Sequence, residues 1–232
     1  MGSKEVLILA GGLGTRLRAA VPGLPKPLAP VAGRPFLAYL LDRFDAVGMR
    51  RVILATGYLG EQVEQMIGTQ WGRLEVAYSR ELTPLGTGGA IRQAAQLSSG
   101  NGLHVCNGDT YLDYVPEALE RASQGLPVAL ALAAVPDVAR YGAVDVDGGR
   151  VRRFREKGGG GAGLINAGSY FLTAEGLAAL PGLQRFSFEQ DVLEPWVADH
   201  RVGAMEETSG FIDIGVPEDF ERAQQLFGVK DR

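Results

Sequence analysis

The feature that most constrains this chain is a glycine-rich segment directly after its first apolar run. Residues 6–9 (Val-Leu-Ile-Leu) predict a buried β-strand, and glycines occupy positions 11, 12 and 14 immediately after it. Glycine allows positive φ angles and lets backbone N–H groups approach a ligand closely. Arg16 lies in the same segment, and Lys26 is held between two prolines in an extended stretch that cannot become helical. The carboxyl end of this strand therefore suits a polyphosphate.

The glycine-rich segment fits two well-known phosphate loops poorly. No Gly-Lys-Ser/Thr follows the glycines, which excludes a Walker A loop. Gly12 and Gly14 match half of the dinucleotide-binding pattern, but Leu17 stands at its third glycine position. For the glycines taken alone, a plain tight turn stays open as the alternative.

Composition limits the class of protein. A chain of 232 residues suits one sizeable domain, or one domain with a subdomain, and 46% hydrophobic residues support a proper core. The net charge of −4 gives no electrostatic reason to expect nucleic acid as a partner. Cys106 is the single cysteine, which excludes intramolecular disulfides and cysteine-based zinc clusters. No apolar run approaches the roughly 18 residues of a membrane span, so we expect a cytoplasmic protein without a membrane partner.

After the second proline the chain alternates predicted helices and strands. Apolar residues recur at helical spacing over 36–44, and Gly48 marks the end of that helix. Strands are predicted at 51–56 and 74–78, with a short helix at 61–67 between them. This alternation predicts an α/β fold with a mainly parallel sheet covered on both faces, whose ligands gather at the carboxyl ends of the strands.

A second glycine-rich turn lies in residues 81–91 (Glu-Leu-Thr-Pro-Leu-Gly-Thr-Gly-Gly-Ala-Ile), ahead of a predicted helix that runs to Leu97. One interpretation makes Thr87 the N-cap of that helix. The other uses the unpaired amides of the helix N-terminus to bind an anion or the edge of a base. Thr87 could serve both roles.

Two aspartates are candidates for a metal site. Asp109 follows a predicted core strand in the turn Asn-Gly-Asp, where it either caps the turn or helps to hold a hard cation. Asp213 stands between Ile212 and Ile214, where an unpartnered charge would be costly to bury. A cation shared by the two aspartates would remove that cost.

A hairpin is predicted over residues 141–156, turning at Asp147-Gly148-Gly149. Asp145-Val-Asp147 matches by its letters the metal-binding motif of many glycosyltransferases, but an Asp-Gly pair between alternating strands favours turn chemistry. The glycine-rich loop at 158–163 is either a solvated connector or a lid.

Together these motifs resemble the sugar-1-phosphate nucleotidyltransferases, also called nucleotide-sugar pyrophosphorylases. The resemblance rests on LAGGLGTRLR with LPKPLAPVAGRPFL, then PLGTGGAI, NGDTY, INAG and FIDIGVPEDF, in that order along nearly the whole chain. It implies a Rossmann-like three-layer α/β/α fold of the GT-A-like nucleotidyltransferase type, formed as a single domain over residues 1–232. Its N-terminal part, about 1–135, would bind the nucleotide and the remainder the sugar phosphate.

The resemblance also implies roles for individual residues. Arg16 and Lys26 would be catalytic, and Asp109 and Asp213 would hold Mg²⁺. The expected nucleotide-binding residues are Leu9, Ala10, Gly11, Gly12, Gly14, Thr15, Gly86, Thr87, Gly88, Asn107 and Gly108. The expected sugar-phosphate-binding residues are Gly142, Glu156, Lys157 and Asn166. Members of the family typically have Glu-Lys-Pro where this chain has Glu156-Lys157-Gly158, which changes the stiffness of the loop but keeps the charged pair.

The implied reaction joins GTP to a sugar 1-phosphate, giving a GDP-sugar and pyrophosphate. A heptose 1-phosphate is the expected sugar; mannose, glucose or N-acetylmuramate 1-phosphate with GTP, CTP or UTP are the alternatives. The attacking phosphate oxygen needs no general base, because the second pKa of a phosphate is about 6. Fixed positive charge is what the chemistry requires: Arg16 at the leaving pyrophosphate, Lys26 near the α-phosphate and Lys157 at the sugar phosphate.

Two other classes of protein share these features in part. A glycosyltransferase of the related fold would bind a finished nucleotide-sugar, but Arg16 and Lys26 suit a triphosphate. A nucleotide-sugar sensor should have lost a metal-binding aspartate or the lysine of the loop, and this chain keeps them. The sequence leaves a monomer and a homodimer equally open.

Overall fold

The computed structural model describes residues 2–12, 23–182 and 184–228. Within these residues the strands form one ten-stranded sheet and two two-stranded ribbons. The strands are β1 (Glu5–Leu9), β2 (Pro30–Val31), β3 (Arg34–Pro35), β4 (Arg51–Thr56), β5 (Gln70–Trp71), β6 (Leu74–Arg80), β7 (Leu103–Asn107), β8 (Thr110–Asp113), β9 (Val128–Val135), β10 (Val144–Asp147), β11 (Arg150–Phe154), β12 (Gly163–Leu172), β13 (Val202–Met205) and β14 (Ser209–Asp213).

The described helices lie mainly between these strands. They are α1 (Phe36–Ala46), α2 (Gly60–Ile67), α3 (Gly86–Ala94), α4 (Pro116–Ala122), α5 (Ala174–Ala178), α6 (Glu194–Ala198) and α7 (Pro217–Gly228). Short 3-10 turns occupy Lys26–Leu28 and Ala95–Leu97, and a π-helical turn occupies Glu189–Leu193. In the described part of the chain, no helix is long and apolar enough to cross a membrane.

The large sheet is mixed and mostly parallel. Its order is β10-β11-β13-β9-β12-β7-β1-β4-β6-β5. The neighbours β7, β1, β4 and β6 run parallel to one another, whereas β12 is antiparallel to both β7 and β9. Among the described strands of this sheet, only β5, β11 and β12 oppose the common direction. The predicted mainly parallel α/β architecture is therefore confirmed.

Helices cover both faces of the sheet. Successive side chains of a strand point to opposite faces, so the apolar side chains of one strand pack against helices on both sides. On β1, Val6 and Ile8 are buried against a core that includes residues of α1, α2 and α7. Leu7 is buried in the other core, which includes residues of α3 and α6. Gly48, with φ 81°, follows α1 where the sequence predicted the helix to end. The three-layer arrangement places four parallel strand ends at one edge of the sheet.

The predicted hairpin at residues 141–156 is also confirmed. β10 pairs antiparallel with β11, and Gly148 and Gly149 form the turn with φ angles of 59° and 70°. Asp145 forms an ion pair with Arg155, and Asp147 with Arg152. Both aspartates therefore have arginine partners within the hairpin, and Asp147 stands at its turn, as the turn interpretation predicted.

Candidate functional site

The carboxyl ends of β1, β4, β6 and β7 open into a groove in which the described residues line three adjoining cavities. The first cavity has a volume of about 480 Å³ and lies over β1 and the start of α3. The central cavity, of about 220 Å³, shares Leu9, Gly12 and Thr87 with the first. The third cavity, of about 590 Å³, shares Glu189 with the central one. A long ligand with three chemically different parts fits such a groove.

The first cavity is mostly apolar, and among the described residues that line it Glu81 supplies a carboxylate. Glu81 follows the last residue of β6, and its Oε2 accepts a hydrogen bond of 2.9 Å from the Leu85 N–H. Burial raises the pKa of the Glu81 carboxyl, and the Leu85 N–H opposes that shift. Gly11 makes room for this carboxylate, because a Cβ there would lie 2.8 Å from Glu81 Oε1. The first cavity can therefore bind a flat apolar group that carries hydrogen-bond donors.

The start of α3 differs from one of the two sequence interpretations. Leu85 is the N-cap residue, without a side-chain capping bond, so Thr87 as N-cap is wrong. The Thr87 hydroxyl instead donates to Glu189 Oε2 at 2.6 Å and accepts from the Phe188 N–H at 2.9 Å. The segment around residues 186–189 packs onto this helix start, and its Phe188 N–H and Glu189 carboxylate form hydrogen bonds with the Thr87 hydroxyl. This contact connects the first half of the chain to the second.

The glycines of this turn serve packing. A Cβ on Gly88 would lie 2.1 Å from a ring carbon of Phe186, and a Cβ on Gly86 would lie 2.4 Å from the Phe186 carbonyl oxygen. Gly86 has a φ of 72° and lines the first cavity together with Thr87. Gly88 is buried and lines none of the three cavities.

Lys26 and Asp109 form an ion pair in the wall of the central cavity. Pro25, in an extended conformation with ψ 142°, and the buried Pro27 fix the short turn that carries Lys26. The Asp109 Oδ1 also accepts a hydrogen bond of 3.2 Å from the Thr110 hydroxyl. The sequence predicted an extended stretch at Lys26, but Lys26–Leu28 forms a 3-10 turn, closed by hydrogen bonds from the Leu28 N–H to the Pro25 carbonyl at 2.8 Å and from the Ala29 N–H to the Lys26 carbonyl at 3.0 Å. Proline is tolerated in the first turn of a helix, where its missing N–H would have no intrahelical partner, so the two prolines still fix the backbone that carries this ammonium.

A two-stranded ribbon brings the second aspartate to the same place. β14 pairs antiparallel with β8 so that Asp213 lies opposite Thr110, and the Ile214 N–H donates to the Asp109 carbonyl at 2.9 Å. Burial raises the pKa of the Asp213 carboxyl, and the negative charge of Asp109 acts in the same direction. The positive charge of Lys26 opposes both effects. Two carboxylates and one ammonium thus share a partly buried space.

Two more glycines allow this close approach. Gly108 donates to the Leu9 carbonyl at 3.0 Å, and a Cβ on Gly108 would lie 2.6 Å from that oxygen. A Cβ on Gly215 would lie 2.7 Å from Asp213 Oδ1 and 3.0 Å from Lys26 Nζ. The Gly215 N–H also donates to Asp213 Oδ1 at 2.7 Å. A methyl group would therefore meet the backbone of β1 at Gly108 and the charged ends of Asp213 and Lys26 at Gly215.

The two aspartates suit Mg²⁺ if the phosphates of a substrate supply its other ligands. Among the described residues, no group of three or more His, Cys, Asp or Glu side chains is arranged to hold a metal by itself. Magnesium usually keeps several waters and uses one or two carboxylates together with substrate phosphates. After burial, the negative charge of Asp109 is the next cause of the raised pKa of Asp213, and a divalent cation would neutralise that charge. Asp109 and Asp213 would be its ligands, completed by a phosphate-bearing substrate.

The third cavity collects the residues predicted to bind a sugar phosphate. Gly142, Glu156, Lys157 and Asn166 all line it. Gly142 has a φ of 82°, and a Cβ there would lie 2.6 Å from the Arg155 carbonyl oxygen. The Asn166 amide already has two partners in β12, because Oδ1 accepts from the Gly168 N–H at 2.8 Å and Nδ2 donates to the Tyr170 hydroxyl at 3.1 Å. Glu156 and Lys157 are exposed at the rim.

The remaining predicted residues divide into three groups. Leu9, Gly11, Gly12, Asn107 and Gly108 line the first or the central cavity. Ala10 is buried and donates its N–H to the Ala55 carbonyl at 2.8 Å, outside the lining of all three cavities. Gly14, Thr15 and Arg16 lie outside the described residues.

Sequence reasoning missed three acidic residues of the groove. Glu81 directly follows β6 but lies three residues beyond the strand predicted at 74–78, so the rule that singled out Asp109 would have found it only with the observed end of that strand. Glu189 and Glu194 line the third cavity from the π-helical turn and the first residue of α6. No motif in the sequence marks Glu189, because its position depends on packing between distant segments.

Neither the cysteine nor the buried histidine belongs to the groove. Cys106 is fully buried, and burial raises the pKa of its thiol to about 12. His104 is also buried, with Nε2 3.0 Å from Glu120 Oε1. Both lie outside the lining of the three cavities. The groove therefore offers charge and positioning, with neither of these nucleophiles.

Comparison with known proteins finds long matches in both sequence and structure. The nucleotidyl transferase family profile matches residues 5–228. The D-glycero-alpha-D-manno-heptose 1-phosphate guanylyltransferase of Aneurinibacillus thermoaerophilus is 39% identical over 223 residues, covering 95% of this chain and 97% of that protein. The protein of the same name from Campylobacter jejuni is 37% identical over 217 residues, covering 93% of this chain and 96% of that protein. The crystal structure of HddC from Yersinia pseudotuberculosis complexed with GMP-PN matches with a TM-score of 0.85 and 35% identity, covering 96% of this chain and 99% of that chain.

Proposed function

This chain belongs to the nucleotidyl transferase family, and we propose that it joins GTP to D-glycero-α-D-manno-heptose 1-phosphate, releasing pyrophosphate and GDP-heptose. The observation that carries the proposal is the three-part groove. Its apolar first cavity suits a base, its charged central cavity suits phosphates, and its polar third cavity suits a sugar. The heptose rests on the two guanylyltransferase relatives that match over nearly their whole length.

Different parts of the chain line the two ends of the groove. The first cavity is lined by residues between Leu9 and Ala90, and the third by residues between Tyr141 and Glu194. This supports a nucleotide-binding part over about 1–135 and a sugar-phosphate side in the remainder, within a single domain. We place the reaction in the cytoplasm, where nucleoside triphosphates are available, with the chain acting as a monomer or homodimer.

The carboxylate of Glu81 supports guanine as the base. Guanine presents two adjacent donors on one edge, N1–H and N2–H₂, and a carboxylate can accept both. The corresponding edges of uracil, thymine, cytosine and adenine each present a single donor group beside an acceptor, so a carboxylate can pair with them through a single bond. An unpaired acceptor facing the carboxylate would cost binding energy. Glu81 in the wall of the first cavity therefore favours GTP over the other nucleotides.

The chemistry requires a phosphate oxygen of the sugar phosphate to attack the α-phosphorus of GTP. The new bond forms between that oxygen and phosphorus while the bond to the β-phosphate oxygen breaks, and the electron pair leaves with pyrophosphate. Lys26 lies in the central cavity, where its ammonium would stabilise charge near the α-phosphate. Lys157 at the third cavity would hold the incoming sugar phosphate in line. Arg16 is assigned to the leaving pyrophosphate from the sequence resemblance.

Positioning and charge are sufficient for this step. The attacking phosphate is anionic near neutral pH, so no side chain has to remove a proton. Mg²⁺ bound by Asp109 and Asp213 would neutralise charge on the phosphates and lower the repulsion between the two anionic substrates. The fixed backbone of Lys26 and the β8–β14 ribbon keep these groups in place before substrates arrive.

The direct test is pyrophosphate release from the purified protein with magnesium. ATP, GTP, CTP, UTP and dTTP would each be paired with heptose, mannose, glucose and N-acetylglucosamine 1-phosphates. We expect the highest kcat/KM with GTP and the manno-heptose phosphate. Release with a different pair would keep the reaction and change the substrates, and no release with any pair would overturn the proposal.

Replacement of Glu81 tests the guanine assignment separately. Glu81→Gln keeps the shape but offers one donor and one acceptor, so kcat/KM for GTP should fall by about 10- to 100-fold while that for the other nucleotides falls less. Glu75→Gln is the matched control, because Glu75 lies on β6 and outside the first cavity. An unchanged preference for GTP in Glu81→Gln would refute base recognition by this carboxylate.

A further inference from the structure

Glu189 lies at the junction between the phosphate-binding and sugar-binding parts of the groove. Among the described residues that line these cavities, it is the one that lines both the central and the third. It also begins the π-helical turn Glu189–Leu193. π-Helical turns are rare and occur frequently at functional sites. From this position Glu189 can contact a ligand that occupies both the central and the third cavity.

The carboxylate of Glu189 is held from two sides. Thr87 Oγ1 donates to Oε2 at 2.6 Å, and Ser187 Oγ donates to the same oxygen at 3.1 Å. Ser187 is fixed in turn, since its hydroxyl accepts from the Gln190 N–H at 3.2 Å and its own N–H donates to Asp191 Oδ2 at 2.7 Å. Both hydrogen bonds that side chains of the described residues donate to Glu189 use Oε2, so Oε1 stays able to accept from a ligand.

The possible ligands of Oε1 can be narrowed by charge. A phosphate would be repelled by a carboxylate, so Glu189 does not suit the anionic groups of either substrate. It also belongs to no metal-holding group of three carboxylates among the described residues. A hydroxyl donor remains, and hydrogen bonds from hydroxyl groups to carboxylates are short and strong. The sugar supplies such donors directly beside its phosphate.

We infer that Glu189 accepts a hydrogen bond from the 2-hydroxyl of the sugar 1-phosphate and so determines specificity at that carbon. This inference rests on the proposed function. The 2-hydroxyl is the hydroxyl next to the anomeric carbon, whose phosphate must reach the central cavity to react. A residue that lines both cavities meets this hydroxyl before any other. Glu194 lines the third cavity alone, and therefore faces a more distant part of the sugar.

The test compares D-glycero-α-D-manno-heptose 1-phosphate with its synthetic 2-deoxy analogue, using GTP and magnesium. In the wild-type protein, loss of the 2-hydroxyl should lower kcat/KM by about 10- to 100-fold, because a hydrogen bond to a charged group is lost. In Glu189→Gln the two sugars should differ by less than about fivefold, because a neutral amide makes a weaker bond. The Gln side chain can still accept from Thr87 and Ser187, which preserves the local structure.

Glu194→Gln is the matched control, since it makes the same chemical change in the third cavity away from the junction. It should keep the wild-type ratio between the two sugars. The affinity for a non-hydrolysable GTP analogue, measured by calorimetry, should be unchanged in Glu189→Gln. Three results would overturn the inference. The first is an equal kcat/KM for the two sugars in the wild-type protein, and the second is a wild-type ratio of kcat/KM between them that is kept in Glu189→Gln. The third result is a loss of that ratio in Glu189→Gln together with weaker binding of the GTP analogue. Because wild-type turnover of the intact sugar is measured in the same assay, failure of the proposed function would be recognised separately.

Discussion

Gly215→Ala should lower activity while leaving stability nearly unchanged. The added Cβ would lie 2.7 Å from Asp213 Oδ1, so the carboxylate must move by about 0.7 Å to reach an ordinary contact of 3.4 Å. Lys26 Nζ, at 3.0 Å from the same point, must move as well. Misplacement of about 1 Å in a reacting group costs on the order of 10²-fold in rate, so we expect kcat/KM to fall by about 10- to 100-fold.

The free energy of unfolding should hardly change in the same variant. Gly215 does not have a positive φ, so alanine fits its backbone, and the atoms that must move are the ends of two side chains. Replacing glycine at such a position lowers the entropy of the unfolded chain, which stabilises by about 0.4–1 kcal/mol and offsets part of the crowding. We expect a net change below about 1 kcal/mol.

The assays are pyrophosphate release at several magnesium concentrations and urea unfolding followed by circular dichroism. We expect the magnesium concentration for half-maximal rate to rise in Gly215→Ala, because one of the proposed ligands is displaced. Gly182→Ala is the control, because a Cβ there meets nothing within 4 Å. Full activity in Gly215→Ala, or an equal loss in Gly182→Ala, would refute the reasoning.

Three further changes test other parts of the structure. Lys26→Met should lower kcat by about 10²–10³-fold, measured by pyrophosphate release, because it removes the fixed charge near the α-phosphate; a loss below tenfold would count against that role. Gly88→Ala should destabilise the fold by about 1–3 kcal/mol in urea unfolding, since its Cβ would lie 2.1 Å from the Phe186 ring; an unchanged midpoint would show that the ring can move away. Burial raises the pKa of Cys106 to about 12, so the thiol stays protonated and should not react with a chromogenic disulfide reagent at mildly alkaline pH until guanidinium unfolds the protein; rapid reaction of the native protein would contradict its burial.

The sequence predicted the elements of the first half of the fold well. The helix over 36–44 and the strands at 51–56 and 74–78 correspond to α1, β4 and β6. These elements are encoded by local periodicity, because each buries one face or both faces of a regular backbone. The direction of β12 was not predictable in this way, since its apolar run is equally compatible with parallel and with antiparallel pairing to its neighbouring strands.

Thr87 illustrates the limit of local reasoning. A threonine at the start of a helix predicts an N-cap, but tertiary packing gives its hydroxyl to Glu189, which is 102 residues away in sequence. Short-range patterns contain no information about a partner at that separation. The prediction failed because a distant segment competed successfully for the same hydroxyl.

By itself, the sequence determined which chemical groups stand at the ends of the strands. A glycine-rich turn, Lys26 between prolines and an aspartate after a core strand follow from residue order, and in a parallel sheet such strand ends meet at one edge. Only the tertiary structure decided how those groups combine. The β8–β14 ribbon places Asp213 opposite Thr110, beside Asp109 and Lys26, and the π-helical turn places Glu189 between two cavities. The physical reason is that these contacts join segments that are far apart in sequence, 83 residues for Lys26 with Asp109 and 102 for Thr87 with Glu189, so their geometry exists only once the layers have packed.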